Sequence, residues 1–424
     1  MLKVVLVIFC LLQIAYQFAL VHIANVYRKK PLPEEVNDIY DEKKYQTFLE
    51  YKKDNQKLSF KKTAVSLFID MVIILSPFFQ WIEQATTNVY GLFFLTFTLL
   101  MGITTVVDLF FEYRFTFQIE EKYGKNKKTK KEFYKDFLIE NGLNYGINLG
   151  IFFPLIYVME HIQSWTHNFS ISYGQSFLFT AGIVVLFVGL LLLFSILSIF
   201  SLKKQYTFTD LEEGELKEKI VDMMKDSKKK VKKIQVYDES KKSTSKNAFL
   251  LKLLNFRQFG IADNFLKENS ERELLGVLAH EIGHLKHKKT IWNGMMYVLF
   301  FCLFIGIVWL IPNGNKVMEG IAWIHSQFGL ESTSYYLCFL VVSVLFSPVF
   351  FCIEVFRNYV TRKEEYEADQ NAVKEGYGED LIQLFKQMSK DELIDVNPSP
   401  IIEGLTYDHP GMYRRIIALK KGVE

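Results

Sequence analysis

Apolar residues fall in long blocks along this chain. Seven stretches, near residues 4–26, 63–82, 90–111, 144–160, 175–201, 291–312 and 334–356, approach or exceed the ~20 apolar residues a helix needs to cross a bilayer. The first is read as a retained span, because no small-residue cleavage site precedes the charged stretch Tyr27–Lys30. The loops between blocks alternate in charge. Residues 28–62 carry ten Lys or Arg, residues 113–143 carry eight, and 202–289 are densely basic. Residues 83–89 and 161–174 carry none, and 313–333 has only Lys316. Basic loops stay on the cytosolic side, so the pattern predicts seven spans with the N-terminus outside and the C-terminus inside. The Asn168-Phe-Ser sequon falls in a predicted outside loop.

Two segments are polar enough to fold in water, 202–290 and 359–424, and this topology puts both in the cytosol. The first predicts a helix over 209–230. Two strand-like stretches follow, "KKIQVYD" and "NAFLLKLLNFRQFGIADNF", and then a helix. The lysine run 228–233 reads as a solvated face, and no repeat of solenoid period is present.

Composition supports a membrane protein. Half of the residues are hydrophobic and 16% aromatic, with 39 Phe and 22 Tyr, and mean hydropathy is +0.11. A net charge of +3 supplies no field for nucleic acid, and no nucleic-acid partner is expected. Cys10, Cys302, Cys338 and Cys352 are scattered through apolar segments without CxxC spacing. They read as reduced thiols acting as small apolar residues.

The chemistry is concentrated in "LLGVLAHEIGHLKHKKTIWNG", residues 274–294. On a helix, positions i and i+4 share a face, so His280 and His284 can point at one ion. Glu281 lies beside them as a general base, the logic of His-Glu-x-x-His zinc hydrolases. A catalytic zinc takes three protein ligands and leaves one position open. The class with a third His ten residues after the first is excluded, because that position is Thr290. His287 lies a full turn beyond His284, too far along the axis for one ion to bind all three easily. The better source is "NYVTRKEEYEADQNA", residues 358–372, with Glu364, Glu365, Glu367 and Asp369. Glu365 and Asp369 share a face; one can bind the ion while the other orients a ligand histidine.

These residues carry a family resemblance. "HEIGH" before a span and "TRKEEYEAD" after the next one resemble the type I CAAX prenyl proteases. Those are integral membrane zinc endopeptidases of the endoplasmic reticulum and inner nuclear membrane. "FQIEEKYGKNKKTKKEFYKD" (117–136), "KSTSKNAF" (242–249) and "YDHPGMYRRIIAL" (407–419) are similar to further family stretches, so the resemblance spans about residues 30–419. It implies His280, His284 and Glu365 as ligands of one Zn2+ and Glu281 as general base. Asp369 would hold a ligand histidine, and Asn247 would lie on an edge strand that aligns the substrate. His409 would stabilise the oxyanion, with Arg415 in electrostatic support. Two departures touch no metal ligand: Leu285 stands where the family often has Trp, and Thr361 where Ser is usual.

The expected fold is an all-α polytopic membrane protein, seven transmembrane helices around a chamber, with a small α+β zinc metalloprotease domain of gluzincin type. Its parts are 1–201 (spans one to five with cytosolic loops), 202–290 (the segment with the HEIGH helix), 291–358 (spans six and seven) and 359–424 (a cytosolic segment that completes the site). Asp70, Asp108, Asn144, Asn148 and Glu354 lie within spans and suit a wet interior. The activity implied is removal of the C-terminal tripeptide from prenylated CAAX proteins or peptides, the lipid staying in the membrane. The location implied is the endoplasmic reticulum membrane, with the zinc site toward the cytosol. Two rivals are a quality-control protease with the same site and a non-enzymatic scaffold. The intact His280, Glu281, His284 and Glu365 argue against the scaffold.

Overall fold

The computed structural model of this chain describes residues 1–169, 189, 193, 196–197, 199–200, 202–225, 233–253, 256–286 and 315–423. The expected span near 291–312 and most of that near 175–201 lie outside the described residues, as do His287, Thr290 and Cys302.

The N-terminal half is built of long helices. They are α1 (Leu2–Tyr27), α2 (Glu42–Leu75), α3 (Phe78–Ala85), α4 (Val89–Arg114) and α5 (Lys130–Phe169). Short polar side chains start two of them. Asp41 accepts from Lys44 N ahead of α2, and Asn88 accepts from Tyr90 N and Gly91 N ahead of α4. Large apolar side chains point outward, among them Phe18, Phe68, Val106 and Leu138, each more than 60% exposed. Such a surface suits lipid. Among the described residues three helices are long and apolar enough to cross a membrane, or up to five if each of two bent pairs counts as one span.

The bent pairs correct the sequence reading. The stretches 63–82 and 334–356 each read as one continuous span. The first breaks between α2 and α3 with a bend of 61°. The second breaks at Phe346, between α10 (Tyr335–Leu345) and α11 (Ser347–Lys374), with a bend of 58°. A proline lies at each break, Pro77 and Pro348. Proline has no N–H to donate and drives the residue before it away from helical geometry. Ser76 is accordingly extended, at φ −77° and ψ 171°.

The rest of the chain surrounds a four-stranded sheet of order β1-β2-β4-β3. Its strands are β1 (Phe208–Asp210), β2 (Lys233–Tyr237), β3 (Ala248–Leu253) and β4 (Phe256–Ala262). β2 and β4 are parallel, the other pairs are antiparallel, and β3 is an edge. Besides α10 and α11, the helices of this half among the described residues are α6 (Glu215–Lys225), α7 (Asp263–Glu268), α8 (Glu271–Lys286), α9 (Asn315–Phe328), α12 (Gly378–Glu392), α13 (Pro400–Thr406) and α14 (Met412–Val423). Two local assignments change. The helix expected over 209–230 has strand at its start and helix only from Glu215, after Gly214 at φ 159°. The second strand-like stretch ends as α7 rather than strand.

One apolar core joins the two halves. Phe259 and Ile261 of β4 pack with Leu275, Leu278 and Ile282 of α8, with Leu381 and Leu384 of α12, and with Ile416 and Leu419 of α14. Val36, Phe48 and Tyr51 from the N-terminal half enter the same cluster. Ion pairs reinforce the joint. Arg28 Nε lies 2.7 Å from Asp395 Oδ2, and Lys125 Nζ 3.1 Å from Glu392 Oε2. The basic loops and the sheet thus share one side. The opposite end gathers the loops poor in Lys and Arg. The N-terminal amine donates to Gln327 Oε1 at 3.2 Å, Gln80 Nε2 to Phe328 O at 3.1 Å, and Glu331 N to Glu83 Oε1 at 3.0 Å.

Candidate metal centre

Helix α8 begins with a reciprocal cap. Ser270 N donates to Glu273 Oε2 at 2.7 Å, and Glu273 N donates back to Ser270 Oγ at 3.3 Å. Its apolar face goes into the core and leaves His280 and His284 on the face toward α11. The two helices approach very closely, at Gly283 against Ala368. A Cβ on Gly283 would stand 2.7 Å from Ala368 Cα, so no larger residue fits without moving a backbone. Asn371 bolts the crossing, its Nδ2 donating to Ala279 O at 2.6 Å.

This crossing brings the predicted ligands together. His280 Nε2 and His284 Nε2 are 3.2 Å apart, His284 Nε2 lies 3.2 Å from Glu365 Oε1, and His280 Nε2 lies 3.5 Å from Glu365 Oε2. Among the described residues these three form a group able to hold a metal ion. Bonds of about 2.1 Å in a tetrahedron separate ligand atoms by about 3.4 Å, which these distances match. Glu365 is 3% exposed, and its Oε2 is buried without a hydrogen-bond donor. A buried carboxylate oxygen left so is costly unless a cation meets it. Two imidazoles and one carboxylate, whose Oε2 has no hydrogen bond and only the Arg415 guanidinium 3.5 Å away, therefore fit a divalent metal.

Asp369, one turn on from Glu365, is fully buried. Its Oδ1 lies 2.9 Å from His280 Nδ1. A carboxylate only accepts, so Nδ1 carries the proton and the Nε2 lone pair faces the metal position. Arg415 of α14 grips the same carboxylate with both arms, Nε to Oδ2 at 2.9 Å and Nη2 to Oδ1 at 2.6 Å. Nη2 is also 3.4 Å from His280 Nδ1, too far to compete with the carboxylate. The guanidinium stacks 4.2 Å from the Phe385 ring and lies 3.5 Å from Glu365 Oε2.

The charges of the site follow. Burial works to raise the pKa of Glu365, but the hydrogen bond from His284 and the Arg415 charge outweigh it and push the carboxyl down to about 2. Burial opposes ionisation of Asp369 too, and the Arg415 guanidinium beside it holds the carboxyl below the usual range. Both stay ionised at neutral pH.

The remaining predicted residues fall as follows. His409 Nε2 lies 3.5 Å from Glu365 Oε1 and its Nδ1 2.8 Å from Asp408 Oδ1, with 57% of its side chain exposed. Glu281 is half-buried and, among the described residues, makes no hydrogen bond or ion pair. Asn247 is exposed at the start of the edge strand β3, its carbonyl accepting from Ala262 N at 2.9 Å, and it touches none of this cluster. Of the polar residues in the spans, Asp108 pairs with Lys62 at 2.8 Å, Glu354 lies 3.6 Å from Arg357, and Asn148 donates to Asn144 O at 2.8 Å. Cys10 and Cys338 are buried free thiols and Cys352 an exposed one.

Comparison with known proteins agrees with this arrangement. Residues 22–188 match the family described as CAAX prenyl protease N-terminal, five membrane helices, and residues 210–423 match Peptidase family M48. The CAAX prenyl protease 1 homolog of Arabidopsis thaliana is 24% identical over 92% of this chain and 90% of its own length. CAAX prenyl protease 1 of Saccharomyces cerevisiae is 27% identical over 76% of this chain and 70% of its own. The crystal structure of S. mikatae Ste24p shares the fold, with a TM-score of 0.81 at 24% identity over 99% of this chain and 98% of that one. With a matched family over its metal-binding half, a matched membrane region before it and the ligand triangle at the crossing of α8 and α11, the chain belongs to peptidase family M48 and is a multi-pass membrane metalloprotease.

Proposed function

We propose that this chain is a zinc-dependent endopeptidase that removes the C-terminal tripeptide from prenylated CAAX proteins. The observation that carries this reading is the His280–His284–Glu365 triangle in a chain similar, over nine-tenths of its length, to proteins named CAAX prenyl protease 1. Two imidazoles and a carboxylate from a helix other than the motif helix suit zinc and the gluzincin type.

Bound there, zinc would lower the pKa of water toward neutrality and polarise the scissile carbonyl. The chain's own residues do the rest. Glu281, with its carboxylate free among the described residues, takes the water proton and returns it to the leaving amine. Asp369 fixes the tautomer of His280, and Arg415 fixes Asp369. His409, at the exposed rim, donates to the developing oxyanion. An extended substrate adds to the edge β3 by main-chain hydrogen bonds, aligned by Asn247.

The membrane half completes the reading. Seven spans enclose a wet chamber, in the endoplasmic reticulum membrane, with the basic side and the metal site toward the cytosol. A prenyl chain remains in the bilayer while the peptide reaches the metal. The test is incubation of purified protein with a farnesylated CAAX peptide, with and without chelator. Chelator-sensitive release of the terminal tripeptide is expected, and its absence sinks the proposal. Glu281→Gln should keep its metal and lose about 10²–10⁴-fold in kcat. Near-normal turnover of that variant rules out this base.

A further inference from the structure

Arg362 lies one turn before Glu365 on α11. Its guanidinium serves a different element. Nη1 donates to Glu403 O at 3.0 Å and to Tyr407 O, and Nη2 to Gly404 O at 3.4 Å. These carbonyls belong to the last turn of α13 and its C-cap, Tyr407. The final carbonyls of a helix form the negative end of its dipole and mostly lack partners within it; here Glu403 O also accepts from Tyr407 N at 3.2 Å. A planar guanidinium meets several of them at once; an ammonium is a point charge and does not. The Glu403 carboxylate is taken by Arg414 at 3.1 Å, which leaves Arg362 to the backbone.

The chain leaves α13 through Tyr407, Asp408 and His409. His409 is more than half exposed, so packing does not fix its ring; its contact with the neighbouring Asp408 and the backbone that delivers both residues must. After His409, Pro410 and Gly411 are buried, and a Cβ on Gly411 would lie 2.8 Å from Pro398 Cδ. Before it, the fixed point is the contact between Arg362 and the Tyr407 carbonyl. One helix therefore carries the metal carboxylate and, a turn earlier, a clasp on the segment that holds His409 3.5 Å from that carboxylate.

We infer that Arg362 is a positioning residue for His409. It sets the distance between the His409 ring and the metal site by pinning Tyr407 two residues upstream. The inference rests on the reading of His409 as the oxyanion donor. Arg362 itself touches neither metal nor substrate in this role.

The test is a double-mutant cycle on the full-length, metal-loaded protein, with a farnesylated CAAX peptide as substrate. Arg362→Gln is expected to lower kcat about tenfold or more, with KM and metal content unchanged, as misplacing a group by an ångström does. Arg362→Lys should recover part of the loss. In a His409→Ala background Arg362→Gln should have no further effect on kcat. Amide hydrogen exchange over residues 403–410 should quicken in Arg362→Gln. An equal fractional loss in the His409→Ala background overturns the inference, as does loss of metal. If Arg362→Gln does not fold, the same cycle is read on Arg362→Lys. A silent His409→Ala variant sinks the oxyanion reading instead. The exchange data then decide the clasp alone: quicker exchange supports it and unchanged exchange overturns it.

Discussion

Asp369 and His409 belong to the same cluster around Glu365 and are held in opposite ways. Asp369 is fully buried and fixed by His280 and by both arms of Arg415. His409 is 57% exposed and depends on Asp408 and on the backbone around it. In the proposed mechanism the buried wall holds the metal ligands, whose placement has to survive whether substrate is present or not. In the same proposal the exposed wall faces the substrate carbonyl. Hydrogen bonds and burial are thus concentrated on the side proposed for the metal, and the group proposed to meet the substrate sits at the open rim.

The largest test of this contrast strikes the buried wall. Asp369→Asn leaves Arg415 as a buried charge short of its partner, and removing one member of such a pair costs about 3–5 kcal/mol. It also replaces the carboxylate that accepts from His280 Nδ1 by a weaker amide oxygen, and losing such a support weakens metal affinity about 10–100-fold. Thermal unfolding and metal titration both read the change. The double variant Asp369→Asn with Arg415→Met should regain part of the stability, since the guanidinium is no longer stranded, but not the metal affinity. A single variant as stable as the parent would show that the pair is not what makes this wall rigid.

The exposed wall predicts a different split. His409→Ala should leave unfolding within about 0.5 kcal/mol of the parent, as surface substitutions do. It should lower kcat about 10²–10³-fold, the usual loss of one oxyanion donor. Metal content should not change. A variant that loses metal with activity would move His409 from the substrate side to the ligand side and erase the contrast.

The sequence discloses these two walls unequally. His280, Glu281 and His284 are legible because one helix fixes their spacing, and Glu365 because a charged helix follows the last span. Asp369 shares that helix face with Glu365, but which of the two meets the ion, and the part of Arg415, are legible only through resemblance, since nothing in the spacing of 369 and 415 predicts a two-armed contact. Arg362 reads as one more charge in "TRKEEYEAD". Its partners are backbone carbonyls forty residues away, which no side-chain pattern reveals. The helix breaks at Phe346 and Ser76 had a signal that apolar counting passes over. Each lies at a Ser-Pro dipeptide inside an otherwise continuous apolar run, Ser76-Pro77 and Ser347-Pro348.

A third and smaller case lies between the two walls in burial. Asp263 has 18% of its side chain exposed and holds down the turn that leads to Asn247 and the edge strand β3. Its Oδ1 accepts from Ser240 N at 2.8 Å and its Oδ2 from Ser240 Oγ at 2.5 Å. Burial raises its pKa, but the Ser240 hydrogen bonds and Lys267 outweigh that and hold the carboxyl below its usual range. A carboxyl with a lowered folded pKa adds stability that is fully present above its unfolded pKa of about 3.9, and that stability is lost as pH falls through the folded value. Asp263→Asn should therefore cost about 1 kcal/mol at neutral pH. The gap to the parent should close as pH falls below about 4, where the parent loses the same charge. Thermal unfolding of both proteins at neutral and strongly acid pH reads the closure. If the gap persists in acid, the pin works by shape alone, and only the buried wall of the site is held by charge.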